Sequence, residues 1–110
     1  MNNMENLEKT YYISMLFDFY SELLTSKQKE YFAYYYFDNY SLSEIAEIFK
    51  VTRSAVYDQI KITCSLLEDY EKKLNLYKKY EEQKHAFEEI KNLTTDENIL
   101  SIIKRLEKEE

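Results

Sequence analysis

Residues 41–62, SLSEIAEIFKVTRSAVYDQIKI, constrain the fold more than any other stretch of the chain. Ser41 stands where a helix N-cap is needed, and Glu44, three residues on, completes the reciprocal pattern of a capping box. Ile45, Ala46, Ile48 and Phe49 give this first helix an apolar face, with the small Ala46 where a second helix must come close. Lys50-Val51 reads as a turn, with Val51 as its apolar plug, and Thr52 can cap the helix that follows. Val56 and Ile60 point inward at i, i+4. Thr52, Arg53, Ser54 and Tyr57 are left on the outer face at the start of the second helix. This order of cap, apolar face, plug and cap is that of a helix-turn-helix, whose second helix lies in the major groove of DNA. The candidate DNA-contacting set is therefore Lys50, Thr52, Arg53, Ser54, Tyr57 and Lys61.

The rest of the chain is patterned for helices as well. Its 110 residues contain neither Gly nor Pro, where average usage would give about eight and five. Turns that need φ > 0 or a rigid Pro are scarce in such a chain. Residues 5–24 read as a first helix with Leu7, Tyr11, Met15, Leu16, Phe19, Tyr20, Leu23 and Leu24 at three- and four-residue steps. Thr25 and Gln28 make a second capping box, opening a helix over 26–37. The aromatic residues of that helix, Tyr31, Phe32, Tyr34, Tyr35, Tyr36 and Phe37, predict burial on more than one side. From Thr52 onward the apolar pattern runs without a stop through Leu67, Tyr70, Leu74, Tyr77 and Tyr80 towards Phe87 and Ile90. This predicts one long helix to residue 92, bent at most near 64–66 and about 60 Å long at 1.5 Å per residue. Thr94 and Glu97 make a third capping box, opening a last helix over 96–109. That helix folds back on the long one or packs across a dimer. The expectation is an all-α helical bundle in one domain of 110 residues.

Several chemistries find no residues to carry them. Phosphate loops and dinucleotide fingerprints need glycines that are absent. His85 is the one histidine and Cys64 the one cysteine, so no Cys/His cluster can close around zinc. Cys64 reads as a buried structural thiol beside Ile62, Leu66 and Leu67, in keeping with a reducing compartment. The start, MNNMENLEK, is polar and unlike a signal peptide. No apolar run approaches the ~18 residues of a membrane span. A cytoplasmic non-enzyme with no cofactor, no metal and no membrane partner is expected.

The net charge of −6 argues against indiscriminate nucleic-acid binding. Its distribution is uneven. Residues 41–65 balance Lys50, Arg53 and Lys61 against Glu44, Glu47 and Asp58, while both flanks are acidic. The reading face is thus the least acidic part of an acidic chain. With so few phosphate-neutralising groups a monomer binds weakly, whereas a homodimer doubles the contacts. Helix 1, the aromatic helix and the long helix are the candidate dimer faces.

Taken in order, FDFY, LLTSKQ, YSLSEIAE, VTRSAVYD and EDYEKKL resemble the YlxM (p13-like) family of small bacterial proteins, from about Met15 to Glu82. The resemblance implies an all-helical fold related to region 4 of bacterial sigma factors. It also implies a link to the signal recognition particle, because genes of this family commonly lie beside that of the particle's GTPase. Members are described as DNA-binding regulators or as accessory factors of that pathway. The family commonly has Ser-Arg-Gln-Ala-Val-Tyr-Asp at the opening of the reading helix. Here Thr52 stands for the Ser, and Ser54 for a Gln whose amide suits bidentate reading of adenine. Lys61-Ile62 replaces a commoner basic pair. The leading expectation is a DNA-binding regulator linked to the signal recognition particle pathway. The rival is an accessory factor that docks its acidic body on the particle's GTPase or RNA. A third reading, an RNA binder that uses the Tyr cluster, requires those rings to be exposed.

Overall fold

The computed structural model describes residues 3–108, with side chains from residue 6, and among these it has six α-helices and no strand. The helices are α1 (Asn3–Tyr20), α2 (Ser26–Phe32), α3 (Leu42–Phe49), α4 (Arg53–Leu74), α5 (Leu76–Leu93) and α6 (Glu97–Lys108). A short 3₁₀ turn, Ser21–Leu23, follows α1, and a π-turn, Ala33–Phe37, follows α2. The chain divides into two compact units, Met1–Tyr77 and Lys78–Glu110.

In the first unit α1 stops at Tyr20, short of the predicted residue 24. Burial begins at Ile13 and continues through Leu16 and Tyr20 at steps of three and four, with Leu24 closing the set after the turn. Leu7, Tyr11 and Leu23, expected on the core face, are exposed. Among the described side chains of α1, those from residue 6 to 12 are exposed. Ile13 belongs to the core although the expected stripe omitted it.

The predicted box at the start of α2 is present: the Thr25 hydroxyl accepts the Gln28 N–H at 3.2 Å, and the Gln28 side chain accepts the Thr25 N–H at 2.9 Å. Two clusters flank α2. Phe32 lies with Ile13, Leu16, Tyr20, Leu24 and Leu67. Tyr31, its neighbour in sequence, lies with Ile45, Ala46, Val56 and Ile60. A step of about 100° per residue sends the two rings to different sides, and α4 supplies the far wall of both clusters through Leu67, Val56 and Ile60. Fully burying each of these side chains contributes about 1.5–3 kcal/mol. The Phe17 and Phe32 rings stack at 4.5 Å, and the Tyr31 and Phe49 rings meet edge-on at 4.6 Å.

After Phe32 the helix widens into the π-turn, and the Asp38 N–H reaches the Ala33 carbonyl at 3.0 Å. The wider turn changes which aromatics face inward. Tyr36 packs against both clusters, while Tyr35 and Phe37 are exposed, so burial of the aromatic helix is less complete than predicted.

The predicted long helix is two helices. It ends at Leu74, and Asn75 takes the left-handed conformation (φ 55°, ψ 31°) before α5 begins at Leu76. No bend at 64–66 replaces this break. Asn tolerates φ > 0 better than most residues, and the Asn75 N–H still bonds the Glu71 carbonyl at 2.8 Å.

In the second unit, a loop leads from α5 into α6. Asp96, not Thr94, is the N-cap. Its Oδ1 accepts the Asn98 N–H at 2.8 Å and the Ile99 N–H at 3.3 Å, and the Thr94 hydroxyl instead accepts the Asp96 N–H at 3.1 Å. Asp caps a helix as well as Ser or Thr does, and the first helical carbonyl here is that of Asp96, which accepts the Leu100 N–H. Residue 109, the last of the predicted helix, lies outside the described residues. Lys91 Nζ, on α5, pairs with Glu107 Oε1, on α6, at 2.6 Å, so α6 folds back on α5. Phe87 and Ile103 are the buried apolar residues of this unit.

Candidate nucleic-acid interface

The interface is built from α3, the turn at 50–52 and the first turns of α4. Ser41 Oγ accepts the Glu44 N–H at 3.0 Å, and Glu44 Oε1 accepts the Ser41 N–H at 2.9 Å. That backbone hydrogen bond holds the Glu44 carboxyl below its ordinary range. Ile45 and Ala46 are buried, and Leu42 and Phe49 half-buried. Ile48 is exposed, against expectation. At 100° per residue it falls about 110° from the centre of the 42/45/46/49 stripe.

The turn is a Schellman closure. The Lys50 N–H bonds the Glu47 carbonyl at 3.3 Å, and the Val51 N–H bonds the Ala46 carbonyl at 3.0 Å. Lys50 takes the left-handed position (φ 56°) that glycine usually fills. Val51 is 38% exposed and is not the plug. Phe49 closes the cluster instead, with its ring against Tyr31 and 5.9 Å from Tyr34.

Thr52 caps α4 as predicted, its Oγ1 accepting the Ala55 N–H at 3.1 Å. This engages the hydroxyl and leaves the Thr52 methyl and backbone for other contacts. Val56 and Ile60 are buried. Lys50, Thr52, Arg53, Ser54, Tyr57 and Lys61 are all exposed. Arg53, Tyr57 and Lys61 stand at four-residue steps and form one row, with Ser54 beside it. Among the described residues Lys50, Arg53 and Lys61 enter no salt bridge. The turn and the row thus expose three cations outside any described salt bridge, with Arg53 in the first turn of the 22-residue helix. Asp58, also exposed, adjoins the row and lowers its net charge.

Sequence reasoning missed the neighbours of this row. A hollow of about 260 Å³ beside it is lined by Tyr35, Leu42, Tyr57, Lys61 and Cys64, among others. Tyr35 reaches it because the π-turn shifts the register of the aromatic run, and helical periodicity carries no signal of such a shift. Tyr40, also exposed, stacks on Tyr34 at 5.0 Å. Cys64 is half-buried, 3.5 Å from the Tyr36 hydroxyl, and burial raises its thiol above the ordinary range. Ile62, expected beside it in an apolar patch, is exposed. His85 is exposed on α5, and no group of His, Cys, Asp and Glu among the described residues could hold a metal ion. No helix among them is long and apolar enough to cross a membrane.

Comparison with known proteins agrees with this geometry. The sequence pattern of the family described as "Putative helix-turn-helix protein, YlxM / p13 like" matches residues 7–107, a longer span than the motifs alone suggested. The UPF0122 protein YlxM of Bacillus subtilis is 51% identical over 107 residues, covering 94% of this chain and 97% of that protein. A UPF0122 protein of Oceanobacillus iheyensis is 51% identical over 100 residues, 91% of this chain and 95% of the relative. One from Listeria welshimeri is 53% identical over 93 residues, 84% of each chain.

Proposed function

We propose that this chain, which belongs to the YlxM/p13-like helix-turn-helix family, is a DNA-binding regulator that reads the major groove with the N-terminal turns of α4. One observation carries the reading. On a chain of net charge −6, the exposed residues of the turn and first turns of α4 include three cations outside any described salt bridge, beside a reading helix capped by Thr52. Arg53 contacts a base edge or phosphate, Lys50 and Lys61 approach phosphates, Ser54 and Tyr57 lie against the groove, and Thr52 holds the helix start. As a homodimer the protein presents two such helices to half-sites about one helical turn apart. The resemblance noted from the sequence makes genes of the signal recognition particle pathway the first targets to test.

The experiment is selection of fragmented genomic DNA by the purified protein at about 0.15 M salt, with Arg53→Ala in parallel. Enrichment of a short dyad-symmetric site that the variant loses supports the reading. Absence of enrichment, or enrichment indifferent to Arg53, overturns it. The acidic balance, with 21 Asp and Glu against 15 Lys and Arg, favours a second reading. In that reading the chain is an accessory factor that docks on the basic surface of the signal recognition particle GTPase or on the particle's RNA. Retention of the particle on immobilised protein, with no DNA enriched, selects it.

A further inference from the structure

The hollow beside the reading row differs in charge from the rest of the chain. Among the described residues that line it Lys61 alone is charged, on a chain with 21 Asp and Glu against 15 Lys and Arg. Hollows elsewhere along α4 include Glu68 or Asp69 in their linings. Asp58 adjoins the row but is not among the residues that line this hollow. An anion seated here meets a cation and no carboxylate in the wall.

Two phenols stand with that cation. Tyr57 is 52% exposed and Tyr35 37%. The hydrogen bonds and salt bridges of the described residues engage neither hydroxyl, nor the Lys61 ammonium. The Tyr35 ring meets that of Tyr36 edge-on at 5.0 Å, and Tyr36 packs on both clusters, so Tyr35 is braced from within. Leu42 and Ile60 complete the lining with apolar surface. A bare ion set against them would give up hydration without full return. A sugar-phosphate lays its C–H surface on them and keeps its phosphate with the exposed polar groups. Arg53 and Lys61 stand two four-residue steps apart, about 12 Å along α4. A ligand that brings phosphate to both is a strand, not a single nucleotide.

We propose that the hollow seats one sugar-phosphate unit of the DNA backbone, with Lys61 pairing with its phosphate and the Tyr35 hydroxyl donating to the same group. This rests on the reading of α4 as the DNA-facing helix. It adds to that site a backbone contact from outside the helix-turn-helix, carried in by the π-turn.

A backbone contact does not depend on sequence, so any duplex reports it. The test is fluorescence anisotropy of a labelled mixed-sequence duplex of about 20 base pairs, titrated with the full chain at about 0.05 M salt. Tyr35→Phe keeps the ring and removes the donor. It should weaken binding about tenfold, with the slope of log K against log salt unchanged because no charge is lost. Lys61→Gln should weaken binding and make that slope shallower by about 0.9. Since both groups hold one phosphate, the double variant should lose less than the product of the single losses. The melting midpoint of Tyr35→Phe should equal that of the wild type; a lowered midpoint would make Tyr35 structural and overturn the assignment. Wild-type affinity in Tyr35→Phe, or single losses that simply multiply, overturns the proposal, and a loss in Arg53→Ala beside them leaves the DNA reading standing. Indifference to Arg53→Ala as well, or no binding of the duplex, overturns both. A Tyr35→Phe loss confined to single-stranded RNA of the same length overturns the proposal too.

Discussion

The Tyr20 hydroxyl lies 2.5 Å from Glu71 Oε1 and accepts the backbone N–H of Leu76 at 3.1 Å, while the same Glu71 oxygen accepts the N–H of Tyr77 at 3.0 Å. Both side chains are buried. Asn75 ends α4 by turning left-handed, and the two open N–H groups at the head of α5 are taken up by a tyrosine from α1 and a glutamate from the preceding turn of α4. The joint between α4 and α5 is thus capped by tertiary structure, not by its own N-cap residue.

Removing that cap should be expensive. Tyr20→Phe deletes the hydroxyl that links Glu71 to Leu76 and leaves a buried carboxylate short of a donor. A hydrogen bond to a charged group is worth about 1.5–3 kcal/mol, and urea denaturation should show a loss in that range. Amide hydrogen exchange at Leu76 and Tyr77 should quicken at the same time. Unchanged exchange there would mean that the cap does not hold the joint.

The same pair gives stability an alkaline limit. Burial, then the hydrogen bond to Glu71, pushes the Tyr20 phenol up from its ordinary 10 to about 12, and burial with the Cys64 contact raises Tyr36 in the same direction. A raised phenol favours the folded state while protonated. Its contribution is whole below pH 10, where the unfolded phenol is also protonated, and is lost as pH climbs towards 12. Denaturation midpoints should therefore fall between pH 10 and 12, with a shallower fall in Tyr20→Phe. Equal slopes in the two proteins would remove Tyr20 from the effect.

Under the proposed DNA-reading role, Lys50 trades stability for a phosphate contact. A non-glycine residue in the left-handed region costs about 1–2 kcal/mol, part of which glycine gives back through its more flexible unfolded chain. Lys50→Gly should leave the protein equally or more stable, by up to about 1 kcal/mol, and should weaken DNA binding by loss of a phosphate contact. Thermal melting and a binding titration on the same sample check both halves.

Arg53→Ala should weaken a specific complex by about 1–3 kcal/mol with helix content unchanged. With Lys50, Arg53 and Lys61 as the phosphate-facing cations, log K against log salt should have a slope of about −2.7 per chain. Fluorescence anisotropy from 0.05 to about 0.3 M salt measures it, and a slope near zero would mean that these residues do not face phosphate.

Cys64 should resist modification. Its thiol is half-buried and raised by that burial, so reaction with a disulfide reagent at pH 8 should be several-fold slower than that of a free cysteine. A stopped-flow trace at the unmodified rate would place the thiol in solvent.

Much of the helix-turn-helix was legible because its signals are local. The boxes at Thr25–Gln28 and Ser41–Glu44, the Thr52 cap, and the inward Ile45, Ala46, Val56 and Ile60 all follow from spacings of three and four residues. What escaped was decided elsewhere. The break at Asn75 leaves the apolar steps in phase, with Tyr70, Leu74, Tyr77 and Tyr80 running straight across it, so periodicity cannot register it. One of its stabilising contacts comes from Tyr20, over fifty residues away in sequence. Asp96 displaced Thr94 as a cap because two good capping residues stood two apart. The π-turn moved Tyr35 to the edge of the candidate site by backbone geometry that side-chain pattern does not encode. The exposed row from Lys50 to Lys61 fits a reading face, and its partner is a matter for the binding experiments above.

Tyr31 and Phe32 have one more consequence. Because adjacent residues of one short helix anchor opposite clusters, α2 cannot turn to relieve one side without prising open the other. The two clusters must melt together. The helix proposed to read DNA packs directly on both α1 and α2 and lines both clusters, so damage at Leu16 should be felt at Thr52 as a lower midpoint of one shared unfolding transition.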